Sequence, residues 1–157
     1  MKAAFSLTVN GRRHDVEAEP RKTLADVLRE ECGLTGTHLG CEHGVCGTCT
    51  ILIDGTPARA CLMFGVQGAG KEIRTVEGLA GVDGLHLLQR KFIEHHGLQC
   101  GFCTPGFLML GVAILERKRA PDDAELVDLL SSNLCRCTGY AGILAAMKAA
   151  LAEKGSP

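Results

Sequence analysis

Nine cysteines stand in this chain of 157 residues, and eight of them fall into two ordered sets able to do metal chemistry. The first set is Cys41-x4-Cys46-x2-Cys49, followed after eleven residues by Cys61. A 4-then-2 spacing lets three thiolates of one loop converge on a single [2Fe–2S] cluster. The backbone must then wrap closely around a small anionic core. Gly40, Gly44 and Gly47 lie in that loop; without Cβ they reach positive φ and leave amide N–H groups free to point at sulfur. The fourth thiolate arrives from the end of the adjacent hairpin strand. A zinc site pairs Cys-x2-4-Cys knuckles across a longer loop, which this crowding does not resemble. His43 sits in the loop, but a Rieske centre needs two histidines, so His43 reads as a loop residue.

The second set, Cys100-x2-Cys103 with Cys135-x-Cys137, is less specific alone, because Cys-x2-Cys also occurs in zinc and dithiol redox sites. Two thiols one residue apart reach a tetrahedral zinc with difficulty, whereas they can ligate a single iron of a dinuclear centre. Gly101, Thr104-Pro105-Gly106 and Thr138-Gly139 are turn-forming and put both pairs beside helix N-termini, whose positive end favours thiolates. With both irons ferric, a four-thiolate [2Fe–2S] centre carries about −2, a charge that needs such oriented amides when buried. The ninth cysteine, Cys32, is expected to be buried as a small hydrophobe.

The elements that must position these sets differ between the two halves. Residues 1 to about 75 read as strands with one helix. Phe5, Leu7 and Val9 alternate with polar residues, Asn10-Gly11 signals a hairpin turn, and a second strand follows near His14–Ala18. Thr23-x-x-Asp26 caps a short helix through Glu31. A second hairpin, Thr50–Ile53 and Thr56 to Cys61, turns at Asp54-Gly55, and a last strand lies near Ile73–Thr75. Residues 65–84 hold six glycines and read as a linker. Beyond it the period changes to nearly four. Leu85, Leu88, Phe92 and Ile93 stripe one helix; Phe107, Leu110, Ile114 and Leu115 a second, ending before Pro121; Leu126, Leu129 and Leu130 a third, capped by Asp122 or Asp123; Ile143, Leu144, Met147 and Leu151 a fourth. Four short helices with tight connections suggest an antiparallel bundle.

Composition narrows the function classes. A net charge of −1 offers no basic field for nucleic acid or anionic lipid, and no Trp with a single Tyr leaves no base-stacking surface. The longest apolar run, Phe107 to Leu115, is too short to cross a bilayer. Met1–Asn10 lacks a secretory pattern, and Arg12-Arg13 is not followed by an apolar stretch. A cytoplasmic location is therefore expected, where cysteines more often bind metal or do redox chemistry than form disulfides. No Ser/His/Asp grouping, phosphate loop or nucleotide fingerprint is present, so no catalytic residue is expected; His86 and His95-His96 read as solvated.

Three segments, GCEHGVCGTCT (Gly40–Thr50), LQCGFCTPGF (Leu98–Phe107) and NLCRCTGY (Asn133–Tyr140), resemble in order the motifs of the small iron–sulfur subunit of the molybdenum hydroxylases, the xanthine dehydrogenase, aerobic carbon monoxide dehydrogenase and 4-hydroxybenzoyl-CoA reductase family. The resemblance implies an α+β chain: an N-terminal β-grasp ferredoxin-like domain over residues 1–78, then a C-terminal four-helix bundle over 79–157. It implies that Cys100, Cys103, Cys135 and Cys137 hold the molybdenum-proximal [2Fe–2S] cluster. Cys41, Cys46, Cys49 and Cys61 would hold the flavin-proximal one. Gln99 matches a residue that hydrogen-bonds the molybdopterin of a large partner subunit. A medium subunit would carry FAD, the whole forming a dimer of heterotrimers without nucleic acid or membrane insertion. Two rivals remain: a freestanding two-cluster ferredoxin, and a zinc-stabilised interaction module.

Overall fold

The computed structural model describes residues 1–155. Five strands form one mixed sheet in the order β2-β1-β5-β3-β4. β1 (Ala3–Val9) and β2 (Arg12–Ala18) are an antiparallel hairpin; Asn10 and Gly11 turn it at φ +52° and +73°. β3 (Thr50–Ile53) and β4 (Thr56–Arg59) form a second hairpin, and β5 (Glu72–Arg74) lies between β1 and β3, parallel to the first and antiparallel to the second. The strand expected from His14 begins two residues earlier. Thr23 caps α1 (Leu24–Asp26), its hydroxyl oxygen accepting from the Asp26 amide at 3.1 Å. The helix widens into a π-turn over Val27–Glu31.

The glycine-rich linker does not begin at residue 65. Gly65–Gly68 is a short 3-10 turn tied to the start of α1, where the Gly65 amide donates to Lys22 O at 2.9 Å. Gly68 is buried, and a Cβ there would stand 3.0 Å from Leu7 and 3.1 Å from Ile73. These glycines permit close packing under the sheet. The crossing between lobes starts after β5, and there Leu79 is buried in the helical core.

Four helices follow: α2 (Leu87–Glu94), α3 (Thr104–Leu115), α4 (Asp123–Ser131) and α5 (Ala141–Gly155). Asp122 caps α4 by accepting the Glu125 amide at 2.9 Å. His86, expected to be solvated, instead caps α2 by accepting the Leu88 amide on Nδ1. Leu88 and Phe92 of the α2 stripe are buried, but Leu85 and Ile93 are exposed. α3 is apolar on all sides because it is covered on all sides. It touches α2, α4 and α5 and lies against β3. β3 is buried on both faces: Leu52 joins the helical core, while Ile51 and Ile53 face the core around α1. The two halves thus share an interior wall. No helix among the described residues is long and apolar enough to cross a membrane.

Candidate metal centres

The loop Gly40–Cys49 leads directly into β3. Gly44 and Gly47 take φ +85° and +72°, and Glu42, a residue with a side chain, also turns at +57°. Gly40 serves differently: a Cβ there would stand 3.2 Å from Cys46 Sγ. The wrapping brings amides onto sulfur. The Cys46 N–H donates to Cys41 Sγ at 3.4 Å, and this bond, with a second from the His43 amide, lowers the Cys41 pKa to about 6. Cys61, which a short 3-10 turn at Ala60–Leu62 delivers after β4, lies against Cys49. These two are 7% and 2% exposed; burial, then the Cys49 thiol, pushes Cys61 up to about 11. His43 turns its Nδ1 to the Cys41 carbonyl at 2.5 Å and is exposed.

Cys103 is the N-cap residue of α3, and Cys135 and Cys137 sit in the loop before α5. Thr104-Pro105-Gly106 is the first turn of α3 itself, with Pro105 at the position that needs no N–H. Cys137 Sγ lies 3.5 Å from Cys100 Sγ, both exposed. Cys103 meets Cys135, and burial followed by that neighbour pushes Cys103 up to about 12. Against the opposing effect of burial, bonds from the Thr138 hydroxyl and the amides of Thr138 and Cys137 bring Cys135 below an ordinary thiol. Cys135 thus meets Cys103, while Cys137 meets Cys100. One residue apart on a tight loop, they point to different neighbours. Gln99 is exposed beside Cys100. Cys32 lies apart from both sets and is only half-buried.

Each set is thus two thiol pairs: Cys41/Cys46 with Cys49/Cys61, and Cys100/Cys137 with Cys103/Cys135. A [2Fe–2S] core presents two irons, each with two positions for thiolate, and the donor sets fit that group. Among the described residues no three His, Cys, Asp or Glu side chains converge to hold a single ion.

The sets are joined by backbone. The amide of Leu134, the residue before Cys135, donates to Cys46 O at 2.9 Å. Buried Asn133 donates Nδ2 to Gly47 O at 3.2 Å. Arg59 reaches from β4 to Ser132 O at 2.6 Å. His38 stacks on Phe102 with ring centroids 5.0 Å apart and bonds its carbonyl through Nδ1 at 2.8 Å. None of these contacts carries a sequence signal, since each joins residues more than sixty positions apart.

Residues 7–72 match the family described as 2Fe-2S iron-sulfur cluster binding domain, and residues 75–148 the [2Fe-2S] binding domain. The chain is 57% identical over 148 residues to caffeine dehydrogenase subunit gamma of Pseudomonas sp. (strain CBB1), covering 92% of this chain and 88% of that one. It is 52% identical over 153 residues to the nicotine 6-hydroxylase small subunit of Paenarthrobacter nicotinovorans, covering 97% and 92%. Among solved structures it superposes with a TM-score of 0.92 on quinoline 2-oxidoreductase from Pseudomonas putida 86, at 52% identity over 97% of this chain and 94% of that one. It also matches the aldehyde oxidoreductase from Desulfovibrio gigas, with a TM-score of 0.88 at 38% identity, over 96% of this chain and 17% of that longer one.

Proposed function

From the premise that this chain belongs to the family of small iron–sulfur subunits of molybdenum hydroxylases, electron-transfer components with two [2Fe–2S] centres, we propose the following assignment. Cys100, Cys103, Cys135 and Cys137 hold the centre that receives electrons from molybdopterin in a large partner subunit. Cys41, Cys46, Cys49 and Cys61 hold the one that delivers them to FAD in a medium subunit. The observation that carries this reading is the hydrogen bond from the Leu134 amide to Cys46 O, which ties the residue before Cys135 to the carbonyl of a ligand in the opposite set. When bound, the clusters supply one-electron reduction and oxidation. The protein supplies thiolates, amide donors to sulfur and a fixed separation.

The ends of this route differ in exposure. Cys100 and Cys137 open to the surface beside exposed Gln99, which is assigned to hydrogen-bond the pterin. Leu98, Phe102 and Leu134 flank the second set along the chain and Val45, Leu62 and Phe64 the first, and all six are exposed, the last three 59%, 63% and 51%. Exposed apolar residues next to both thiol sets in the chain favour permanent neighbours over a freestanding ferredoxin. The two regions, 1–78 and 79–157, correspond on this reading to a β-grasp domain and a four-helix bundle. The assembly is a dimer of heterotrimers in the cytoplasm, and its substrate, by likeness to the caffeine, nicotine and quinoline enzymes, is an N-heterocycle.

The test is Cys100→Ser in the co-produced complex. Substrate should no longer reduce the flavin, while the EPR signal of the centre at Cys41, Cys46, Cys49 and Cys61 persists. Normal flavin reduction by substrate in that variant would refute the route.

A further inference from the structure

Between the second thiol set and α5 the chain turns through Thr138, Gly139 and Tyr140, and the turn is closed by its own hydrogen bonds. The Thr138 hydroxyl donates to Cys135 Sγ at 3.1 Å. From the other side the Tyr140 amide donates to Thr138 Oγ1, also at 3.1 Å. That bond occupies the oxygen and leaves the hydroxyl proton directed at sulfur. The Tyr140 phenol accepts the Cys135 amide at 3.0 Å, and its ring meets buried Phe107 edge-on, centroids 6.1 Å apart. Tyr140 holds φ +66°, a left-handed conformation that a large side chain keeps only where its surroundings over-determine it. The hydroxyl is therefore fixed on one sulfur.

We propose that Thr138 is a positioning residue for electron transfer, its hydroxyl raising the reduction potential of the second centre through Cys135. The inference rests on the assignment of Cys135 as a ligand. Held by these thiolates, the centre would supply one-electron reduction, with dithionite as the one-electron reductant in the assay. No bond is made or broken, and the hydroxyl proton stays on Oγ1. The formal charge of the centre falls from about −2 to about −3. A donor already aimed at a ligand sulfur stabilises the more negative state more strongly, which moves the potential upward.

The experiment is an EPR-monitored redox titration of the assembled complex, unsubstituted and as Thr138→Val and Thr138→Ser. Valine matches the shape of threonine without the donor; serine keeps the donor. At the potential that half-reduces the unsubstituted second centre, the valine variant should have a reduced-to-oxidised ratio roughly fivefold lower, on the scale of one typical net hydrogen bond. Serine should restore the original midpoint, and the first centre should titrate unchanged in all three. An unmoved second midpoint in Thr138→Val overturns the proposal, as does an equal fall in Val and Ser. If valine does not retain the second centre, Thr138→Ala is titrated in its place. Loss of that centre in both makes Thr138 a structural residue and likewise overturns the proposal. Failure of the underlying assignment looks different: the second signal would survive Cys135→Ser.

Discussion

Gly106 lies in the first turn of α3, where alanine would ordinarily add about 1 kcal/mol of helix stability. Here the sign should reverse. A Cβ at Gly106 would stand 3.0 Å from both Cα and O of Thr48, and closer still to Gly47 O. These are backbone atoms of the loop between Cys46 and Cys49. They cannot swing aside, because Gly47 O is held by the Thr50 amide at 3.1 Å and by Asn133 at 3.2 Å. Overpacking costs about 1–3 kcal/mol, and a clash with tethered backbone belongs at the upper end. After subtracting the helix gain, Gly106→Ala should lose about 2 kcal/mol, or about 4–8 °C in Tm for a domain of this size. Thermal unfolding followed by bleaching of the visible absorption measures it. Gly81→Ala, where a Cβ meets nothing within 4 Å, is the control. A Gly106→Ala protein that melts at or above the parent would show that α3 does not press on the loop as described.

Three further outcomes follow from other parts of the molecule. After removal of iron, iodoacetamide at neutral pH should label Cys41, lowered to about 6, before Cys61 and Cys103, raised to about 11 and about 12; peptide mass spectrometry reads the order, and early labelling of Cys103 would contradict it. Burial, then Arg74, holds His86 below an ordinary imidazole, so its cap on α2 is intact above about pH 6.5 and weakens as pH falls through that value towards the depressed folded pKa. Denaturation curves against pH should show a loss of about 1 kcal/mol, and His86→Asn, which keeps an acceptor, should flatten it. Asn10→Ala removes both hydrogen bonds to buried Thr75, each 2.9 Å; the urea midpoint should fall by the equivalent of about 1–3 kcal/mol, with Asn10→Gly no better than partial recovery.

What the sequence disclosed was what local chemistry dictates. Asn10-Gly11 and Asp54-Gly55 turn because both residues of each pair take positive φ. Thr23 and Asp122 cap because an oxygen at that position meets an orphan amide. The cysteine sets were legible because a loop must wrap its ligands within a few residues. Tertiary choices were not. Gly65 and Gly68 look like linker glycines in a string of letters, yet they mark where backbone passes under Val27 and Leu7. The crossing of Cys135 to Cys103 and of Cys137 to Cys100 depends on how two loops meet. Leu85 and Ile93 fit the helical period but fall outside the face that α3 and α5 cover. His86 gave no cap signal, since a ring nitrogen rarely plays that role.

Two separate sets of four thiolates should each hold one dinuclear iron centre. Iron analysis of the purified complex, with low-temperature EPR after stepwise dithionite reduction, addresses it directly. About four irons per copy of this chain and two distinct spin-half signals are expected, one of which disappears in Cys135→Ser and the other in Cys49→Ser. A single signal with half that iron, or zinc in place of iron, would contradict it.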